Sequence, residues 1–412
     1  MVEDKVTMDL SNKKDTRTFI LYFAGWWMYF TQGVLGIRGT ISQVLLAVMA
    51  LWSLYYYLKV VASGNKNPVL RSLNYLLILF VIYGCWQLLL TPGSGVGTKA
   101  FDYVKKSIFS ILPIWGYYYL MKRVNITEKW LIVIILMLIL YGIGEHIDGA
   151  RSMERKIMDG TVVRSVDEMV ISAAYRLVPI FPLLFFITKN EWFKYSAIIV
   201  MLMIAIIGVK RGPIIICALA TVIVLWDSIN LSSLRKIQLK HVVIILLAIS
   251  GGYIILSRMV ESNDFLIYRL EAMLEGDSSG RDEIYSSYYR YIVSETNLFY
   301  LLFGHGADST VKVFGLYAHN DWLEIGMNQG LFGLVLYFSY YIQLIKQWRK
   351  TKDNHELNMC IGVFIVVSII ASMLSMSINN QRISSHICIA YFLCLSEYTF
   401  SFVSNKRLKT KI

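Results

Sequence analysis

Charge is what this sequence has least of. Only 17% of its 412 residues are Asp, Glu, Lys or Arg, whereas a soluble chain carries about a quarter. Proline and histidine are scarce, with six of each. The five cysteines (Cys85, Cys217, Cys360, Cys388, Cys394) all lie in apolar runs, with no Cys-x-x-Cys or Cys/His spacing. Nothing there supports a metal or disulfide framework, and buried small side chains are the expectation. The chain also lacks internal repeats, low-complexity tracts and nucleic-acid motifs. Its net charge of +12 therefore does not point to a nucleic-acid partner.

What is present is hydrophobic: 56% of residues are apolar and the mean hydropathy is +0.53. Apolar runs recur near the roughly 20 residues that cross about 30 Å of hydrocarbon. Twelve windows result, near 18–36, 40–61, 71–90, 104–121, 129–146, 171–188, 192–208, 212–229, 240–257, 320–345, 357–378 and 383–403. Lys105, Lys106 and Arg176 intrude on the fourth and sixth. An all-α polytopic membrane protein follows, one transmembrane domain over 1–412 with the lipid bilayer as its solvent. Residues 1–17 mix Glu3, Asp4 and Asp9 with Lys13, Lys14 and Arg17. They read as a short cytosolic tail rather than a cleavable signal.

Lysine and arginine in short connections orient the chain. Lys59/Lys66/Arg71, Lys122/Arg123/Lys129, Lys189/Lys194, Arg235/Lys236/Lys240, Lys346/Arg349/Lys350/Lys352 and Lys406/Arg407/Lys409/Lys411 share the side of the N-terminal tail. Both termini are then cytoplasmic, and the long segment 258–319 faces outward. The inside holds 17 Lys and 6 Arg against 6 Lys and 11 Arg outside. Lysine suits hydrated headgroups, whereas the arginine fork suits bidentate phosphate binding.

Within the outer segment, "NDFLIYRLEAML" and "RDEIYSSYYRYIV" carry apolar residues at helical spacing, Ile284, Tyr288 and Tyr291/Ile292 on one face of the second. Both predict amphipathic helices, separated by the turn "EGDSSG". The tyrosines there serve either to stack on sugars or to anchor at an interface, and anchoring is the commoner use.

The outer segment meets a membrane window at "AHNDWLEIGMNQGLFG", residues 318–333. His319-Asn320 is followed by nine residues and then Gly330-x-x-Gly333. This pattern resembles the bacterial O-antigen ligase and O-antigen polymerase superfamily. "VKRGPIIICALA" (209–220), "SSGRDEIY" (278–285) and "LFGHGADS" (302–309) resemble its other elements in the same order. The motif-bearing region covers 200–345. The resemblance implies a helical, lipid-donor (GT-C-like) glycosyltransferase of the bacterial cytoplasmic membrane. It implies transfer of a glycan from undecaprenyl diphosphate to a sugar hydroxyl on the extracytoplasmic side, with no cofactor or metal. The implied partners are the lipid-linked donor and acceptor, a flippase and a chain-length regulator.

The residues themselves suit that chemistry. A neutral imidazole at His319 can accept a hydroxyl proton. Asn320 either orients it, binds sugar hydroxyls or caps a helix together with Asp321. Glu324 lies one turn from Asp321 and either binds sugar or pairs with an arginine. Lys210 and Arg211 precede Gly212-Pro213 at an outer helix start, where free N–H groups favour an anion. Arg281 begins an amphipathic helix with the same logic. Arg211 and Arg281 are thus diphosphate ligands or headgroup anchors. Arg176, Arg258 and Arg382 are weaker candidates of the same kind.

Polymerisation of lipid-linked repeat units is the leading expectation. The alternatives are a ligase acting on a lipid A core or protein acceptor, and, from another class, a flippase or transporter. The last predicts a central charged cavity and repeated halves.

Overall fold

A computed structural model describes residues 13–37, 39–90, 96–160, 170–229, 268, 271, 275, 280–378 and 382–409. Among them every regular element is helical. The order is α1 (Lys13–Phe30), α2 (Gln32–Leu35), α3 (Thr40–Ala62), α4 (Pro68–Leu90), α5 (Val96–Ile111), α6 (Pro113–Met121) and α7 (Glu128–Met158). Two 3-10 helices follow, Ala173–Arg176 and Val178–Phe186, then α8 (Glu191–Ile207) and α9 (Arg211–Ile229). The remainder is α10 (Arg281–Val293), α11 (Leu298–Phe303), α12 (Ser309–Phe314), α13 (Asp321–Lys350), α14 (His355–Leu374) and α15 (Ile383–Lys409).

Five stretches are long and apolar enough to cross a membrane: Thr40–Ala62, Pro68–Trp86, Glu128–Met158, Arg211–Ser228 and His355–Leu374. They coincide with five of the twelve windows. The window at 240–257 lies outside the described residues, as does Arg258.

Local chemistry sets the helix ends. Asn67 accepts from the N–H groups of Val69 and Leu70 to open α4. Asn354 does the same for Leu357 in α14, and Thr127 for Trp130 in α7. Such caps satisfy donors that the first helical turn leaves unmade. Pro113 starts α6 and so divides the 104–121 window into two helices.

The 171–188 window is not an α-helix. Pro179 and Pro182 lack the N–H that an α-helical ladder needs, and the backbone forms 3-10 turns instead. Val178, Ile180, Phe181, Leu183, Leu184 and Phe185 are all buried. The segment packs against α14, α9, α15 and α7. Irregular helix inside a membrane protein is tolerated where protein surrounds it. An aromatic core including Tyr22, Trp26, Trp115, Tyr117, Tyr141 and Phe181 fills the bundle beside it.

Candidate functional site at the start of α13

The polar cluster at 318–324 is resolved into separate tasks. His319 holds a left-handed backbone at φ 52°, a conformation that histidine adopts more readily than most non-glycine residues. The residue keeps part of its surface open to solvent while its ring is half-buried. Asn320 is the N-cap of α13: its Oδ1 accepts from Trp322 N at 2.9 Å and Leu323 N at 3.2 Å. Its Nδ2 donates to the Met373 carbonyl at 3.3 Å. Of the roles open to Asn320, the structure shows the cap.

Asp321 is turned inward and is 2% exposed. Its carboxylate accepts from the Tyr337 hydroxyl at 2.8 Å and from the N–H groups of Ser377 and Ile378 at 2.9 and 3.0 Å. It thereby ties the first turn of α13 to the segment after α14. Glu324, also 2% exposed, accepts from Thr310 Oγ1 at 2.8 Å and Ala318 N at 2.6 Å. Where an arginine or a sugar was expected, the partners of Glu324 within the described residues include a hydroxyl and a backbone amide of the segment preceding α13. Asp321 and Glu324, two carboxylates that looked costly for a membrane helix, each accept from donors outside α13, as buried acceptors require.

The window at 320–345 is not one continuous helix. Gly330 has φ 64° and ψ −158°, so α13 is two helical pieces joined at a kink and continuing to Lys350. A break leaves the last carbonyls of the first piece short of donors. His305 N and Gly306 N donate to the carbonyls of Met327 and Asn328 at 2.8 and 3.0 Å. Asn328 Oδ1 accepts from Ser309 N and Oγ at 2.9 and 2.7 Å. The Gly-x-Gly at 304–306 and the Gly-x-x-Gly at 330–333 are thus two halves of one backbone joint. His305 itself pairs with Glu295 at 3.0 Å and stacks on Tyr300.

Beside His319 lies a cavity of about 310 Å³. Lys106 of α5, Ser172, Tyr175 and Arg176 of the 3-10 region, Lys210, Tyr317 and the segment Ser375–Ile378 contribute to its wall. Among the described residues three cations line it, and no carboxylate does. Lys210 Nζ donates to Ser172 Oγ at 2.7 Å and sits 5.5 Å from the Tyr175 ring centre. Lys106 Nζ lies 5.8 Å from the Tyr317 ring centre. The hydroxyl of Tyr340, also in the wall, is buried with no hydrogen-bond partner among the described residues.

Arg281 reaches the same edge from α10, where it interacts with Tyr175 and with His319. Burial first, and then the Lys210 and Arg281 charges, hold the His319 imidazole below its ordinary value of 6.5. Both effects disfavour the protonated ring. One helical turn beyond Arg281, the Tyr285 hydroxyl lies 2.9 Å from the Met373 carbonyl oxygen and 3.4 Å from that of His319. The apolar face of α10 is the expected one: Tyr288 packs with Ala318 and Met327, flanked by Ile284, Tyr291 and Ile292.

The structure therefore gathers Lys210, His319 and Arg176 in the wall of one cavity, with Arg281 beside its Tyr175 and His319 but outside the wall itself. Arg211 begins α9 one residue past Lys210 but is not part of that wall. Arg382 lies between the Phe30 and Phe109 rings, 5.5 Å from each centre. It is electrostatically coupled to Arg176, whose Nε is 3.6 Å from Glu145. Lys106, Tyr175 and Tyr317 have no role predicted from the sequence, whereas Tyr285 is one of the α10 tyrosines expected to stack on sugars or to anchor at an interface. Lys106 carried a signal, as a charge inside an apolar run. Tyr175 and Tyr317, two tyrosines among 27, carried none. No group of three or more metal-ligating side chains occurs among the described residues.

Neither a protein-family model nor a curated protein matches the chain. The class defined by the described residues is a helical membrane protein with a cation-lined cavity beside the start of α13.

Proposed function

We propose that this chain is a glycan polymerase of a bacterial cytoplasmic membrane, with about twelve spans in a lipid-donor glycosyltransferase fold. One observation carries the proposal: an imidazole held below its ordinary pKa opens onto a cavity that, among the described residues, is lined by cations and by no carboxylate. A diphosphate leaving group needs fixed positive charge, and an attacking hydroxyl needs a neutral base.

In the proposed reaction the growing glycan on undecaprenyl diphosphate is the donor. The acceptor is a sugar hydroxyl of a lipid-linked repeat unit. Its proton passes to His319 while its oxygen bonds to the anomeric carbon. The bond from that carbon to the diphosphate oxygen breaks, with inversion. Lys210, Arg281 and the adjacent Arg211 neutralise the departing diphosphate, and the imidazolium then releases its proton to water. Asn320, Asp321 and Glu324 hold the geometry instead of touching sugar.

Purified protein supplied with lipid-linked repeat units is expected to form a ladder that stays on undecaprenyl diphosphate, and His319→Ala is expected to abolish it. A full ladder from His319→Ala overturns the base assignment. Transfer onto a lipid A core or protein hydroxyl identifies a ligase. Movement of lipid-linked repeats without bond formation identifies a transporter.

A further inference from the structure

From Thr296 to Gly304 the outer segment carries no charged residue, and five of the six side chains of α11 are exposed. Leu298, Phe299, Tyr300, Leu301 and Phe303 each leave 39–65% of their surface uncovered. A contiguous apolar patch of this kind marks a contact with protein or lipid rather than with water. Polar groups bound it at both ends. Glu295 and Asn297 build the turn before it, Glu295 Oε1 accepting from Asn297 N and Asn297 Oδ1 from Phe299 N. His305 follows it, paired to Glu295.

Two contacts fix where this tip sits. The Tyr83 hydroxyl of α4 donates to the Phe303 carbonyl at 2.5 Å. Tyr83 lies within the apolar stretch of α4, seven residues before that helix ends at Leu90, about 10 Å of axial rise at 1.5 Å per residue. The Phe303 ring lies 6.2 Å from that of Phe332 on α13. Phe332 belongs to an exposed row, Leu331, Phe332, Val335 and Phe338, on a helix that packs along α4. The patch on α11 is therefore continuous with an apolar helix face beside a membrane-crossing helix.

We propose that α11 is a lipid-immersed tip of the outer segment, its Leu298, Phe299 and Leu301 side chains set among acyl chains of the outer leaflet. The occupant is the bilayer, because the patch shares its depth and its outward face with α4 and α13. Amphipathic elements dip to this level when an apolar tip is framed by polar residues. The same short helix leads into the Gly304–Gly306 loop that grips the kink of α13, so the bilayer holds one side of that joint. This holds whether or not the chain transfers glycans.

The test is spin labelling at Phe299→Cys after Cys85, the exposed cysteine, is replaced by serine. The protein is reconstituted in phosphatidylcholine–phosphatidylglycerol vesicles. Collision with oxygen, which concentrates in hydrocarbon, is expected to exceed collision with a water-soluble nickel chelate severalfold. A label at Arg290→Cys, on the polar face of α10, is expected to show the reverse. Nickel access at position 299 equal to that at 290 overturns the proposal. So does dipolar broadening at 299 that disappears on dilution with unlabelled protein, which identifies a second copy as the occupant. Leu298→Cys gives the same reading if Phe299→Cys fails to reconstitute.

Discussion

Gly304 and Gly330 meet backbone to backbone, each in a conformation that glycine almost alone adopts. Their dihedral angles are φ 72°, ψ −177° and φ 64°, ψ −158°. A methyl carbon on Gly304 would stand 2.5 Å from Asn328 C and from Gly330 N. One on Gly330 would stand 2.5 Å from Gly304 N and 2.7 Å from Leu302 C. Alanine at either position is expected to cost about 1–3 kcal/mol in backbone strain alone, before the clash with main chain that cannot swing away. Thermal unfolding of the purified protein in detergent checks this. Gly315→Ala, also at positive φ (75°) but facing open space, is expected to lower Tm less.

Asp321 holds three donors, two of them buried and one half-buried. Replacing it by alanine leaves the Tyr337 hydroxyl and the N–H groups of Ser377 and Ile378 without their acceptor. Each such group costs about 1–3 kcal/mol when buried and unmade. Asp321→Ala is therefore expected to lower Tm strongly. It is also expected to reduce activity, because Ser377 and Ile378 form part of the cavity wall. A Tm equal to wild type would show that the segment after α14 does not depend on this carboxylate.

Glu324 makes a different forecast. In Glu324→Gln the amide oxygen can still accept from Ala318 N, and the amide nitrogen can donate to Thr310 Oγ1. KM and kcat for glycan transfer are expected to stay near wild type, since the carboxylate faces Thr310 and Ala318 and does not line the cavity. A rise in KM alone would return Glu324 to a sugar-binding role.

Asn320→Ala removes the N-cap of α13 and is expected to cost about 1 kcal/mol. Asn320→Ser, which keeps a capping oxygen, is expected to recover most of the lost Tm and of any lost activity. Failure of serine to restore activity while restoring Tm would assign the Asn320 amide to substrate.

The acid limb of activity follows from the charges around His319. Burial first, and then Lys210 and Arg281, disfavour the imidazolium, so the base form persists below the ordinary value of 6.5. Removing either cation raises the histidine pKa, and protonation then sets in at higher pH as pH falls. In Lys210→Met or Arg281→Met the acid limb of kcat/KM is expected to move to higher pH, beyond any uniform loss of rate. An unmoved limb in both variants would show that another group titrates it.

Much of the bundle was legible in the residues themselves. Thr40–Ala62, Pro68–Trp86, Glu128–Met158, Arg211–Ser228 and His355–Leu374 are runs whose composition alone meets the length and hydropathy that hydrocarbon requires. Arg281 at the head of α10, and the face shared by Ile284, Tyr288 and Ile292, followed from helical spacing. The cost of Asp321 and Glu324 in a membrane window was legible too, as a demand for partners.

Which partners met that demand was decided only by the tertiary structure. Ser377 lies 56 residues from Asp321, and nothing local in either segment pairs them. In the sequence Gly330 stands only as the first glycine of a Gly-x-x-Gly pattern; its role as the break in α13 depends on Gly304 coming against it, because a kink requires both a break and donors arriving from another loop. Lys106 and Tyr175 reach the cavity for the same reason. Periodicity says which side of a helix is apolar; only packing says which side chains share the space between helices.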